Sequence, residues 1–147
     1  MKVGDTMNLN VARIRVGSTV REAADILSST QASDLMVVDD QNRFVGVLSE
    51  GDLIRAALPD FDEILAQGGG SLTAGIEMFV DKGRAMANKL IDEYIIRAPL
   101  TVRPSEPALR AATLMITKMI RRLPVVEGDQ LVGVISRADI CRGILRT

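Results

Sequence analysis

The sequence predicts a mixed α/β (α+β) fold in which one β-α-β-β-α unit is used twice, with a helical insert between the copies. Three observations carry this. First, "RFVGVLSEGDLIRAAL", beginning at Arg43, returns as "QLVGVISRADICRGIL" at Gln130, 87 residues later, and self-similarity on this scale reports architecture. Second, short apolar runs of strand length alternate with stretches whose apolar residues recur at three- and four-residue steps. Third, the 147 residues are 47% hydrophobic and 25% charged, enough for two small halves sharing one module.

In the first copy, "ARIRV" (12–16) alternates and reads as a short strand. "VREAADILSST" follows as an amphipathic helix, with Val20, Ala23, Ala24 and Leu27 on one face. Thr19 and Glu22 have the spacing of a capping box. "LMVVD" (35–39) is a buried strand, "DQNR" a turn, "FVGVLS" the returning strand, and "EGDLIRAAL" a helix halted by Pro59. In the second copy "LTV" (100–102) is the first strand and "PALRAATLMITKMI" the helix, with Pro107 suited to a first turn. "LPVVE", "GDQ", "LVGVIS" and "RADICRGILR" complete it. Gly46 matches Gly133, Ser49 matches Ser136, Asp52 matches Asp139, and Ala23–Ala24 match Ala111–Ala112. The expected organisation is 1–58 for the first repeat, 59–94 for the insert and 95–147 for the second repeat. In the insert, "PDFDEILAQGGG" reads as a short helix ended by a glycine terminator and hinge. Residues 71–96 read as one long amphipathic helix, with Leu72, Ile76, Phe79, Gly83, Met86, Leu90 and Tyr94 in a stripe expected to pack on the same chain.

Composition narrows the function. The net charge of −1 gives no reason to expect nucleic acid as main partner. There is no His, which removes histidine catalysis and His-based metal sites. The one cysteine, Cys141, lies in an apolar helical run and is expected in the core. No run reaches a membrane span, and "MKVGDTMNLN" lacks the apolar core of a signal peptide, so the expectation is a soluble cytoplasmic protein. A receiver domain is disfavoured because "LMVVDD" belongs to a β-α-β-β-α unit. The nucleophile elbow, the phosphate-binding P-loop and the paired cysteines of common enzyme classes are missing.

"RRLPVVEGDQLVGVISRADI" resembles the central part of a CBS domain, and "LMVVDDQNRFVGVLSEGDL" resembles a second. The chain as a whole is similar to a tandem CBS pair, or Bateman module, over about two-thirds of its length. The resemblance implies two repeats related by a pseudo-two-fold axis, frequent homodimerisation, and no catalysis. It implies a regulatory or energy-sensing role on an unknown regulated protein, through an adenosine-containing ligand such as AMP, ADP, ATP or S-adenosylmethionine held between the repeats. It places Asp52 and Asp139 at the ribose, Ser49 and Ser136 near a phosphate. It puts the base beside Thr101, Val102, Leu123 and Pro124 in one copy, and beside Arg15, Val16, Leu35 and Met36 in the other.

The residues themselves leave two readings open. A helix start offers free N–H groups and a positive dipole end to an anion, yet Ser-x-x-Asp is also an ordinary capping box. Arg137 follows Ser136 whereas Glu50 follows Ser49, and Arg121 and Arg122 precede "LPVV" in the second copy. These charges favour the Ser136–Arg137–Asp139 cleft for phosphate. They leave the Asp52 cleft empty, weak or selective for a less charged ligand. The rival reading is an interaction module without ligand, working through the central helix.

Overall fold

The computed structural model describes residues 1–66, 72–97 and 99–146. In order the elements are α1 (Val3–Thr6), β1 (Arg13–Arg15), α2 (Val20–Thr30), β2 (Asp34–Val38), β3 (Phe44–Ser49), α3 (Glu50–Ala57), α4 (Phe61–Ala66), α5 (Leu72–Met86), a 3-10 turn (Ile91–Tyr94), β4 (Ile96–Arg97), α6 (Ala108–Thr117), β5 (Arg122–Glu127), β6 (Gln130–Ser136) and α7 (Arg137–Leu145).

The first sheet has the order β1-β2-β3-β4, with β1 parallel to β2 and the other pairs antiparallel. The second is the β5–β6 hairpin, flanked by single bridges from Val102 to Val125 and from Asn8 to Val134. The expected strand at 100–102 is thus reduced to one residue, whose N–H donates to Pro124 O and whose carbonyl accepts from Val126 N–H. The pairings of one half return in the other 87 or 88 residues away. Ile14 faces Val37 as Val102 faces Val125. Thr19 bridges Leu90 as Pro107 bridges Lys2. The two hairpin tips meet through Phe44 N–H to Asp129 O (2.7 Å) and Leu131 N–H to Asn42 O (3.3 Å). Arg43 bridges Gln130, its own equivalent. Self-pairing of an equivalent position is what a two-fold relation between the halves produces.

That relation exchanges two chain segments. Residues 1–8 belong spatially to the second half. Val3 N–H donates to Glu106 O, and Met1 O accepts the N–H of Ala108 at the start of α6. Residues 87–97 serve the first half in the same way. Lys89 O and Ala87 O accept the N–H groups of Val20 and Arg21, the otherwise unpaired donors at the start of α2. Ile91 is buried in the first core with Ile14, Ala23, Leu35, Val37 and Leu48. Val3 is buried in the second with Val102, Ala111, Met115, Leu123 and Ile135. A third cluster lies between the sheets, where Met36 and Val38 meet Leu131 and Val134.

Three expectations change. The central helix ends at Met86, because the following turn is drawn onto α2. Its stripe is not covered: Leu72, Ile76 and Phe79 are 80%, 54% and 40% exposed, and Met86 is the stripe residue that α5 buries. Cys141 is exposed, since α7 turns Asp139 and Ile140 inward and Cys141 is one step round the helix from them. The glycine terminator and hinge at 68–70 lies outside the described residues.

Candidate functional site

The two Ser-x-x-Asp stretches open α3 and α7, each where an inner strand runs into a helix. At α7 the box is complete. Ser136 Oγ accepts from Asp139 N–H (3.1 Å), and Asp139 Oδ2 accepts from Ser136 N–H (2.9 Å). Asp139 Oδ1 also accepts from Arg142 Nη2 at 3.1 Å, and the residue is buried. At α3 half the box is formed: Ser49 Oγ accepts from Asp52 N–H (3.1 Å), while the Asp52 carboxylate turns to Arg55. That pairing, with help from Ser49, holds Asp52 below the ordinary carboxylate range. Capping is therefore present at both sites. It does not exhaust them: each carboxylate oxygen has two lone pairs, and the serine hydroxyl proton remains free to donate.

A cavity of about 230 Å³ lies between the halves at the start of α7. Its second-half wall is Arg122, Val134, Ser136 and Asp139; its first-half wall is Thr30, Gln31, Ala32, Asp34 and Met36; and Asn8, Asn10, Val11 and Ala12 complete it from the connecting segment. Val11, Ala12, Ala32, Met36 and Val134 supply apolar surface, and the remaining side chains are polar. This is the usual composition of a small-molecule site, although the volume is below the ~300–1,000 Å³ of drug-sized pockets. Asp34 is its most unusual group. Oδ1 is shut off from solvent and accepts no hydrogen bond. Arg122 Nη1 is 3.7 Å away. Burial pushes the Asp34 carboxyl upward; Arg122 opposes this and Glu50 adds to it. Larger surface grooves lie beside α2 and α3, and beside Arg13, Arg15, Asp39 and Asp40, but no Ser-x-x-Asp aspartate is on their walls. Among the described residues no cluster of three or more metal-ligating acids or cysteines occurs.

Of the residues singled out in the sequence, Ser136, Asp139, Arg122 and Met36 meet in this cavity. Arg137 does not line it: its guanidinium donates to Ile120 O (3.1 Å) and Met115 O (3.0 Å), tying down the end of α6. Arg121 is exposed, and its carbonyl accepts from Arg137 N–H. Leu123 and Val102 belong to the second core, Pro124 is buried in β5, and Thr101 is exposed; none is on the cavity wall. Leu35 and Val16 belong to the first core, and Arg15 is exposed. Ser49 and Asp52 open α3, away from this cavity. The residues that went unread are Asn8, Asn10, Val11, Ala12, Thr30–Ala32, Asp34 and Val134. The signal that points to them is the repeat itself. Two halves facing across an axis bring the serine and aspartate of one against the strand lead-in of the other.

A family model of the CBS domain matches residues 3–59 and 91–146. The chain is 29% identical over 161 residues to the chloroplastic CBS domain-containing protein CBSX2 of Arabidopsis thaliana, covering 98% of this chain and 63% of that one. It is 27% identical over 140 residues to an uncharacterized protein of Methanocaldococcus jannaschii, covering 95% of this chain and 41% of that one. It is 25% identical over 141 residues to a homoserine O-acetyltransferase of Methanohalobium evestigatum, of which it spans 23%. The chain thus spans less than two thirds of the length of these relatives. Among solved structures, CBSX2 in complex with AMP superposes with a TM-score of 0.74 at 26% identity, over 99% of this chain and 96% of that one. CBSX2 described as a CBS-pair protein gives 0.77 at 28% identity, over 99% and 94%.

Proposed function

The chain belongs to the CBS-domain family, and we propose that it is a non-catalytic regulatory module binding an adenosine-containing ligand in the cavity between its repeats. The observation that carries this reading is the cavity wall itself. One ligand placed there touches the Ser136–Asp139 helix start, the lead-in to β2 and the segment entering β1. Asp139 is fixed by its own cap, so its remaining lone pairs are presented to a ribose diol without further ordering cost. AMP in the CBSX2 structure supports adenosine as the common ligand element. The test is a thermal-shift series with adenosine, AMP, ADP, ATP and S-adenosylmethionine on protein freed of bound nucleotide. At 100 times Kd a ligand stabilises by about 2.7 kcal/mol, a rise of roughly 5–10 °C for this size. A shift present in the native protein and lost in Asp139→Ala supports the reading; no shift with any of the five overturns it.

A second reading belongs beside it, because Leu72, Ile76, Phe79 and Val80 leave a contiguous apolar strip of α5 in solvent. In this reading the module works as a homodimer, or on the unknown regulated protein, through that strip. Sedimentation of the native chain against Ile76→Glu/Phe79→Glu checks it: a dimer that becomes a monomer supports self-association. A native monomer removes self-association through the strip.

A further inference from the structure

Resting on the adenosine reading, we infer that the Asp139 cavity takes an adenosine compound whose appended group is a hydrogen-bond donor or a cation, that it disfavours phosphate, and that Asp34 sets this preference. Asp34 stands at the entry to β2 and lines the cavity together with Asp139 and Arg122. Its equivalent 88 residues on is Arg122, so the same lead-in position carries opposite charges in the two halves. Asp139 is already matched by Arg142 at 3.1 Å. Asp34 is not matched in this way. Arg122 lies at 3.7 Å, beyond hydrogen-bonding distance, and Oδ1 is buried with no donor. An under-matched carboxylate is costly, and about 20% of the Asp34 side chain is still exposed, so a ligand that brings an N–H, an O–H or a positive centre to that exposed part completes its pairing. A phosphate does the opposite. It has to draw Arg122 away from Asp34 and leave a partly buried carboxylate beside a second negative group. Arg137, the arginine next to the helix start, is committed to Met115 O and Ile120 O and offers no substitute. The upward displacement of the Asp34 carboxyl by burial agrees with this.

The test is calorimetric titration with adenosine, AMP and S-adenosylmethionine. It uses the native protein, Asp34→Asn and Asp34→Ser, each also in an Asp52→Ala background so that the Asp139 cavity is read by itself. The expected result, in the Asp52→Ala background with Asp34 native, is adenosine and S-adenosylmethionine binding at least ten-fold tighter than AMP. In Asp34→Asn, AMP gains about ten-fold and S-adenosylmethionine loses about ten-fold. In the Asp52→Ala background, AMP bound as tightly as adenosine with Asp34 native overturns the inference, as does a ligand order unchanged in both Asp34 variants. Either outcome leaves the adenosine reading standing. No binding of any of the three to any variant overturns that reading and this inference together. Should Asp34→Asn fail to fold, Asp34→Ser and the ligand order of the Asp52→Ala protein decide.

Discussion

Val3 lies about a hundred residues from the core it fills, which makes Val3→Ala a direct probe of the exchanged segments. The side chain is fully buried against Val102, Ala111, Met115, Leu123 and Ile135. Removing two methyl groups forfeits about 1.6 kcal/mol of transfer free energy, at ~0.8 kcal/mol per carbon. A cavity of roughly 40 Å³ adds about 1 kcal/mol. The expected cost is about 2–3 kcal/mol, a fall in Tm of roughly 5–10 °C for a chain of this length. The mirror change, Ile91→Ala, should cost about 2–5 kcal/mol, because Ile91 is equally buried in the first core. Leu9, on the same N-terminal stretch as Val3 but exposed, should change stability by less than about 0.5 kcal/mol when cut to alanine. Urea denaturation with hydrogen exchange reads all three. In Val3→Ala the loss of protection should concentrate on β5 and β6. A Val3→Ala cost indistinguishable from that of Leu9→Ala, or loss confined to the first sheet, refutes the exchanged packing.

Gly46→Ala should be far more damaging than Gly133→Ala. A Cβ at 46 meets the carbonyl of Ile96 at 2.3 Å, so β4 must leave β3, whereas at 133 the nearest atoms are Asn8 O at 3.0 Å and the yielding Met7 Sδ at 3.1 Å. Equilibrium denaturation should give about 3 kcal/mol or more for the first and about 1–2 kcal/mol for the second. Asp34→Asn should stabilise the empty protein at pH 7. Burial raises the Asp34 pKa above 3.8, so its contribution is intact below the unfolded value and lost as pH rises through the folded one. The gain over native should therefore shrink toward pH 3 in pH-dependent melts; a gain that grows on acidification refutes the sign. Ser136→Ala should cost about 1 kcal/mol as a lost cap and also reduce the ligand-induced shift. Arg137→Ala should cost about 1 kcal/mol through the end of α6 and leave that shift unchanged.

The sequence makes legible what local spacing encodes. The repeat at 43 and 130 places β3 with β6 and α3 with α7, and Ser136–Asp139 reads as a helix start because a capping box is a short-range pattern. Contacts made across the axis leave no such trace. The α1 turn at Val3 carries no periodic signal in four residues; it forms because the second core has a vacancy for it. The grouping of the site residues is a second case. The sequence sets Arg122, Thr101, Leu123 and Pro124 on one copy's side of the cleft, while the cavity wall joins Arg122 to Asp34 and Met36 across from Asp139 and leaves Leu123 in the second core. The α5 stripe has helical spacing, but spacing reports a face and not what covers it.

Crossing the repeats also changes where an anion is expected. Around Asp139 the partner half contributes Thr30, Gln31 and Asp34. The two-fold relation assigns the Asp52 side the positions 88 residues further on, which are Lys118, Met119 and Arg122. The fold is symmetric and the charge is not, so the two sides are predicted to differ in their preference for a phosphate-bearing ligand. By this relation Lys118 and Arg122 are the positions expected on the Ser49 side, so AMP is predicted to prefer that side despite Glu50, against the assignment that the sequence draws from Arg137, Arg121 and Arg122. The expected outcome is an AMP-induced thermal shift of the native protein that is lost in Asp52→Ala or Lys118→Ala and kept in Asp139→Ala, with S-adenosylmethionine showing the opposite dependence. The AMP shift should also fall steeply between 50 and 300 mM salt, since a partly exposed phosphate–lysine contact is screened over a Debye length of about 10 Å at 0.1 M. An AMP shift that survives Asp52→Ala unchanged and disappears in Asp139→Ala refutes the crossed assignment. The charge of the neighbouring half would then not govern which ligand each cleft takes.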